Sequence, residues 1–193
     1  MAGVNPMAMN PTLPQVIGIL PHVRYEIESL LQTPNHDEMN TALVESVQFR
    51  RMAHARVLFD FFTKSRSAPK KERLLSDDDV VSEDFGFPAE PLYGPEPKPL
   101  LDRFNKDLFH LTYSRLTRTA EVKPWPREKL LPPVEAQARK FIEHILQASN
   151  LSIPEDELGK WRELKEADRR KLPLRQNTSN IAIPRVMGIQ AIR

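Results

Sequence analysis

The sequence predicts an all-α protein, a helical bundle of four to five main helices with a proline-rich loop and an irregular C-terminal tail. The first two observations come from composition: the 193 residues include only 6 glycines but 18 prolines. Turn-rich sheets and phosphate-binding loops depend on glycine, so this balance favours helices separated by prolines. The third observation is that apolar residues recur at spacings of three and four along much of the chain.

The first elements predicted are a flexible N-terminal arm over residues 1–13 and a helix over residues 14–32. Pro21 either kinks this helix or begins its main part, because proline is tolerated in the first helical turn but not in the interior. The residues expected to be buried share helical spacing: Val16, Ile17, Leu20, Val23, Ile27, Leu30 and Leu31.

A second, longer helix is predicted over residues 37–63, which contain neither glycine nor proline. Its buried stripe is predicted to consist of Met39, Leu43, Val47, Leu58, Phe61 and Phe62. Arg50, Arg51 and His54 interrupt that stripe. Because a buried charge without a partner is costly, these three side chains are expected to be paired, exposed or functional.

A basic stretch, residues 64–73, is followed by a proline-rich acidic loop, residues 74–99. Seven carboxylates and no basic residue lie between Leu74 and Pro97. A short helix is predicted from Ser76 to Phe85, and the prolines after it predict a stiff, extended connection.

Three further helices are predicted over residues 100–119, 133–149 and 154–172. The last of these has few large apolar residues. Residues 14–149 are therefore predicted to form the bundle domain, and residues 150–193 a weak helix followed by a basic tail.

Composition and motifs exclude several classes of function. The absence of cysteine excludes a disulfide scaffold, a thiol nucleophile and cysteine-ligated zinc. No signal peptide and no apolar run of about 20 residues is present, so we expect a cytoplasmic protein without a membrane partner. Glu-x-x-His pairs, Walker loops and dinucleotide fingerprints are also missing, and no metal or cofactor is predicted. Distant histidines that converge in space are the remaining alternative for a metal.

The formal net charge of +2 conceals alternating blocks of opposite sign. Residues 50–73, for example, carry eight basic and two acidic groups. Basic blocks on one face would bind an RNA backbone. Alternatively, the acidic loop folds across the basic helices and cancels their field, and we favour this outcome slightly.

The most informative motif pairs Arg103 with His110 on the predicted helix over residues 100–119. Residues seven apart lie about 20° from eclipsed on one helix face. A guanidinium clamps phosphate oxygens, and an imidazole exchanges a proton near neutral pH. The alternative is a solvated polar face in which Asp107 forms an ion pair within the helix.

Arg103, six intervening residues and His110 resemble the signature of the HEPN (higher eukaryotes and prokaryotes nucleotide-binding) superfamily. The resemblance implies a small all-α bundle that dimerises and cleaves RNA without metal through its 2′-hydroxyl, in a defence or toxin–antitoxin setting. It also implies that His110 assists proton transfer and that Arg103 stabilises the charge on phosphorus. Arg51, Lys106 and Arg115 are the candidate RNA-binding residues.

His54 is the further candidate catalytic residue. It is expected to line the same cleft as His110, or to join Arg51 and Glu26 or Glu45 in a buried polar network. The segment around it is similar to uncharacterised bacterial helical proteins, which supply no activity. The sequence is therefore consistent with two functions. The first is RNA cleavage or RNA binding by a homodimer. The second is a non-enzymatic role in which the acidic loop and the basic tail contact a protein partner.

Overall fold

Four α-helices and two short 3-10 helices make up the computed structural model, which describes residues 11–31, 41–66, 76, 78–93 and 127–169. The α-helices are α1 (Leu13–Leu31), α2 (Thr41–Thr63), α3 (Arg127–Gln147) and α4 (Glu155–Arg169). The 3-10 helices span Ser82–Phe85 and Ser149–Leu151. Because no strand occurs within those described ranges, the predicted all-α class is confirmed.

Helix α1 confirms the first predicted helix nearly to its ends. The side chain of Gln15 accepts hydrogen bonds from the backbone N–H and the hydroxyl of Thr12, at 2.8 and 2.9 Å, which satisfies donors that a helix start leaves open. Pro21 lies inside the helix, and the helix continues through it. The apolar positions predicted to face the core are buried, except that Ile17 is only partly covered.

Helix α2 buries a different stripe from the one predicted. Leu43 is 47% exposed and Val47 is only half-buried, so the prediction was wrong for both; Met39 lies outside the described residues. The reason is the position of α1: Arg51 meets Leu30 near the end of α1, and His54 meets Glu26 further back along it. The first ten residues of α2, which begins at Thr41, therefore extend past the last turn of α1. The residues of α2 that are buried all lie in its second half: Met52, Ala55, Leu58, Phe61 and Phe62.

Helix α3 begins at Arg127, six residues before the predicted start, and contains Pro132 and Pro133. A proline removes an N–H donor from the helix and leaves a carbonyl without its usual partner. Here the carbonyls concerned belong to the exposed residues Glu128 and Lys129, and burial of Leu130 and Leu131 offsets the loss. The carbonyl of Leu130 accepts a hydrogen bond from the Tyr93 hydroxyl at 2.8 Å. The prolines were therefore the wrong marker for the helix start.

An aromatic cluster connects α2, the segment after it and α3. Its ring centroids lie 4.9–6.0 Å apart, mostly in edge-to-face arrangement, which is the favoured geometry for aromatic pairs. We define the cluster as Phe61, Phe62, Phe85, Phe87 and Phe141. Trp161 of α4 packs against Phe141 with centroids 6.0 Å apart and is fully buried, so α4 shares the same core.

The acidic loop is helical over fewer residues than predicted. Ser76 and Asp79 exchange hydrogen bonds of 3.0 and 3.2 Å, but only Ser82–Phe85 form a 3-10 helix among the described residues. Gly86 ends it with φ +74°, where a side chain would be strained. Residues 87–92 belong to no helix or strand, and Glu90 N–H donates to the carbonyl of Phe62 at 3.0 Å.

The remaining helix predictions divide in two. The predicted last helix is α4, which the structure describes over Glu155–Arg169. The predicted helix over residues 100–119 lies outside the described residues, as does the chain after residue 169. Within the described ranges, no helix has both the length and the apolarity to span a bilayer.

Candidate functional site

Two of the six predicted site residues can be placed in the structure. Arg51 and His54 lie one turn apart near the middle of α2. The other four predicted site residues lie outside the described residues: Arg103, Lys106, His110 and Arg115. The geometry of the site is therefore built from α2 and the helices that pack against it.

His54 is held by a carboxylate from the neighbouring helix. Its Nδ1 lies 2.7 Å from Oε2 of Glu26 on α1, so of the two predicted partners Glu26 is the one that binds it. Tyr25 packs edge-on against the imidazole, with centroids 5.5 Å apart and planes at 85°. A carboxylate at one ring nitrogen fixes the orientation of the ring and leaves Nε2 as the nitrogen that can exchange a proton with a bound molecule.

Arg51 ties three helices together. Its Nε donates to the carbonyl of Leu30 in the last turn of α1 at 3.1 Å, and its guanidinium forms an ion pair with Glu135 of α3. The side chains of Arg51 and Glu135 are 14% and 16% exposed, so the pair is largely shielded from water. In this arrangement Arg51 stabilises the helix junction.

One turn of α2 therefore carries a row of polar contacts to its neighbours. Arg50 completes it by donating to the hydroxyl of Ser29 at 2.9 Å. The polar seam, as we call this row, consists of Glu26, Ser29, Arg50, Arg51, His54 and Glu135. Helical spacing indicated the α2 members, whereas Glu135 comes from a helix 84 residues away and no sequence signal pointed to it.

The acidic loop folds onto the segment that follows α2 and neutralises the basic residues Lys64 and Arg66 there. Arg66 forms two hydrogen bonds with the Asp84 carboxylate and a third, at 2.7 Å, with the carbonyl of Asp79. Glu83 accepts from the hydroxyl of Ser65 and from the N–H of Arg66, at 2.7 and 2.6 Å. For this part of the loop, the favoured intramolecular cancellation of charge is confirmed.

These contacts raise the pKa values of two basic side chains, Arg66 and Lys64. Hydrogen bonding to Asp84 is the largest effect on Arg66 and raises its pKa, despite the burial that opposes it. For Lys64 the largest single effect is burial, which lowers the pKa. Hydrogen bonds and charge from Asp60 and Asp79 together outweigh burial, so the net effect raises the pKa of Lys64. Both side chains therefore remain charged in the folded protein.

A groove of about 500 Å³ lies between α1, the second half of α2 and the start of the acidic loop. Its apolar lining consists of Ile19, Val23, Val57, Leu58, Phe61 and Val80. Glu26, the partner of His54, stands at its edge, so the groove adjoins the polar seam. No sequence pattern indicated the groove, because its walls come from three separate segments.

Among the described residues, no group of three histidine or carboxylate side chains could hold a metal ion. His144 is a core residue, whose Nε2 lies 2.8 Å from the Phe85 carbonyl and whose ring packs beside Phe87. Of the histidines that the structure describes, His54 is thus the one paired with a carboxylate.

Comparison with known proteins adds no functional information. No protein-family model matches the sequence, and no curated protein or solved structure is significantly similar to it. The evidence for function is therefore the arrangement of the residues in the polar seam and the groove.

Proposed function

We propose that the protein is a HEPN-like, metal-independent endoribonuclease. The observation that carries the proposal is the carboxylate–imidazole pair, in which Glu26 holds Nδ1 of His54 at 2.7 Å beside a groove. Such a pair fixes an imidazole for proton transfer. A ring nitrogen of an imidazole can both accept and donate a proton, which suits exchange of a proton with an RNA hydroxyl.

The proposed reaction needs one group that accepts a proton and one that donates it. The base removes the proton of the 2′-hydroxyl, the 2′-oxygen attacks the adjacent phosphorus, and the 5′-oxygen leaves with a proton from the acid. The products are a 2′,3′-cyclic phosphate and a 5′-hydroxyl. In the proposal His54 and His110 perform these two transfers, and Arg103 stabilises the charge that develops on the phosphate oxygens.

Of the three remaining candidates, Lys106 and Arg115 bind the RNA backbone in the proposal. Lys106 lies three residues after Arg103, so a helix over this segment would place it beside the motif. Arg115 lies five residues after His110 and would add a basic group further round the same helix. Arg51 contributes indirectly, because its contacts to Leu30 and Glu135 keep α2 and therefore His54 in register with α1. A homodimer would bring two such motifs together, as the HEPN resemblance implies.

Cleavage of a labelled single-stranded RNA in EDTA tests the proposal. We expect the unaltered protein to generate cyclic-phosphate ends and the variants His54→Gln, His110→Ala and Arg103→Ala to cleave about 100-fold more slowly or worse. Glu128→Gln is the control, since Glu128 is an exposed residue of α3 outside the groove, and it should leave the rate unchanged. Absence of cleavage by the unaltered protein, or equal rates in all variants, contradicts the proposal.

The second candidate is a non-enzymatic interaction protein. The observation that favours it is the neutralisation of Lys64 and Arg66 by the acidic loop, which occupies two cations that an RNA backbone would otherwise bind. RNA affinity measured between 50 and 200 mM salt distinguishes the two functions. An RNA-binding protein loses affinity steeply over this range because counterions are released on binding, whereas the interaction protein should not bind RNA at all.

A further inference from the structure

The polar seam contains one arginine whose charge faces water. Arg50 is an exposed residue of α2, and its guanidinium donates to the hydroxyl of Ser29 at 2.9 Å. That hydroxyl is uncharged, and within the described part of the chain no carboxylate pairs with Arg50. Arg51, by contrast, is shielded and bound to Glu135. The positive charge that α2 offers to a ligand at the seam is therefore that of Arg50.

Arg50 lies one helical turn from the imidazole proposed for proton transfer. Residues four apart on a helix have Cβ atoms about 5–6 Å from each other, which makes Arg50 a neighbour of His54. The α1 partners of these two side chains, Ser29 and Glu26, are three residues apart, so both side chains face the same stretch of the boundary between α1 and α2. A guanidinium in this position can bind two phosphate oxygens at once.

Tyr25 adds an aromatic ring at the same place. The residue is 52% exposed, although its ring touches the imidazole of His54 with centroids 5.5 Å apart and planes at 85°. Helix α1 holds Tyr25 directly before Glu26, the residue that orients the imidazole. An exposed aromatic side chain is a platform on which a nucleobase stacks.

We propose that Tyr25, Arg50 and His54 form a binding subsite for one nucleotide of single-stranded RNA. Arg50 binds the phosphate, Tyr25 stacks on the nucleobase, and His54 meets the ribose 2′-hydroxyl between them. Every base has a face that can stack, so the subsite selects unpaired RNA with little preference for sequence. The inference rests on the proposed function, because it assigns the substrate class of the same site.

A short fluorescent oligodeoxynucleotide tests binding without cleavage, because deoxyribose has no 2′-hydroxyl to attack phosphorus. In anisotropy titrations of the full-length chain, we expect Arg50→Gln to raise Kd about tenfold. It should also reduce the slope of log Kd against the logarithm of the salt concentration by about 0.7, the value for one phosphate contact on a single strand. Arg50→Lys keeps the charge and should keep this slope. Arg162→Gln is the matched control, since Arg162 is an exposed arginine of α4 paired with Glu155, and it should bind like the unaltered protein.

Strands with and without bases test the role of Tyr25. Tyr25→Leu should raise Kd for the oligodeoxynucleotide about tenfold, whereas Tyr25→Phe keeps the ring and should bind like the unaltered protein. For an abasic strand of the same length, we expect equal Kd values for the unaltered protein and Tyr25→Leu. A ring that only supported the fold would weaken binding of both strands when it was replaced, and that result would contradict the stacking role.

The outcomes distinguish this inference from the proposed function. Binding that depends on Arg50 and Tyr25 as described, without cleavage of RNA in EDTA, supports the subsite and contradicts the ribonuclease. Cleavage of RNA with KM unchanged in Arg50→Gln and Tyr25→Leu supports the ribonuclease and overturns the subsite. Failure of the unaltered protein to bind the oligodeoxynucleotide also overturns the subsite. Urea denaturation of each variant shows whether it is folded, and the conservative variants Arg50→Lys and Tyr25→Phe keep both contacts testable.

Discussion

The aromatic cluster and the polar seam lie on the same helix, but they hold it in different ways. The second half of α2 contributes Phe61 and Phe62 to a cluster in which each ring touches several others. The middle of α2 contributes Arg51 and His54, each of which binds a carboxylate of a different helix. The cluster stabilises by area removed from water, whereas the seam stabilises by specific pairs that fix the register of the helices.

The two regions also respond differently to the loss of a partner. A cavity in the cluster costs the transfer free energy of the missing atoms and the contacts that surrounded them. A lost partner in the seam leaves a shielded charge without compensation, so the penalty belongs mainly to the residue that stays behind. We therefore expect larger effects in the cluster and stronger pairwise coupling in the seam.

Removal of the central ring of the cluster should give the largest effect. Phe141 contacts four other phenylalanine rings and Trp161, and we expect Phe141→Ala to lower the free energy of unfolding by about 3–5 kcal/mol. Urea denaturation followed by circular dichroism measures this change. Leu13→Ala is the control at an exposed site and should cost less than about 1 kcal/mol. A similar loss of unfolding free energy at the two positions would contradict the expectation that the cluster stabilises the protein more than an exposed site does.

A double-mutant cycle on the seam tests whether its pairs act as units. Arg51→Met and Glu135→Gln should each destabilise the protein, and the coupling free energy between the two positions should be about 1–2 kcal/mol. The shielding of both side chains supports this expectation. The exposed pair Arg162 and Glu155 of α4 is the matched control, for which we expect no measurable coupling. Equal coupling in both pairs would mean that the seam behaves like an ordinary surface.

Tyr93 combines both kinds of contact and should give the smallest effect at neutral pH. Its ring stacks on Phe59 with centroids 5.5 Å apart, and its hydroxyl donates to the carbonyl of Leu130. Tyr93→Phe keeps the stacking and loses one hydrogen bond, for which we expect a loss of about 0.5–1.5 kcal/mol.

The pH dependence of stability in this variant distinguishes the contribution of the Tyr93 hydroxyl from that of its ring. Burial raises the pKa of Tyr93, while an unfolded tyrosine ionises near pH 10. The stabilisation by the protonated hydroxyl is therefore fully present below about pH 10 and is lost as the pH rises above that value, because the unfolded chain ionises first. Unfolding midpoints in urea at pH 7 and pH 11 should show the original protein losing its advantage over Tyr93→Phe at the higher pH. An advantage that is constant with pH would contradict this account.

Regular spacing allowed most of the helices to be predicted, and lack of regularity explains the errors. The apolar periodicity of α1 identified its buried face because that face packs along its whole length. The stripe of α2 was wrong at Leu43 because periodicity does not show where the neighbouring helix ends. The start of α3 was missed because Pro132 and Pro133 look like helix boundaries, and only the burial of the leucines before them explains why the helix includes them.

The sequence by itself determined the helical class, and it marked Arg51 and His54 as residues that need partners. These conclusions follow from local rules of spacing and from the cost of burying a charge, which hold in any fold. Only the tertiary structure decided that Glu26 binds His54, that Glu135 binds Arg51 and that a groove opens beside them. Such partners are distant along the chain, so they become neighbours only through the packing of helices.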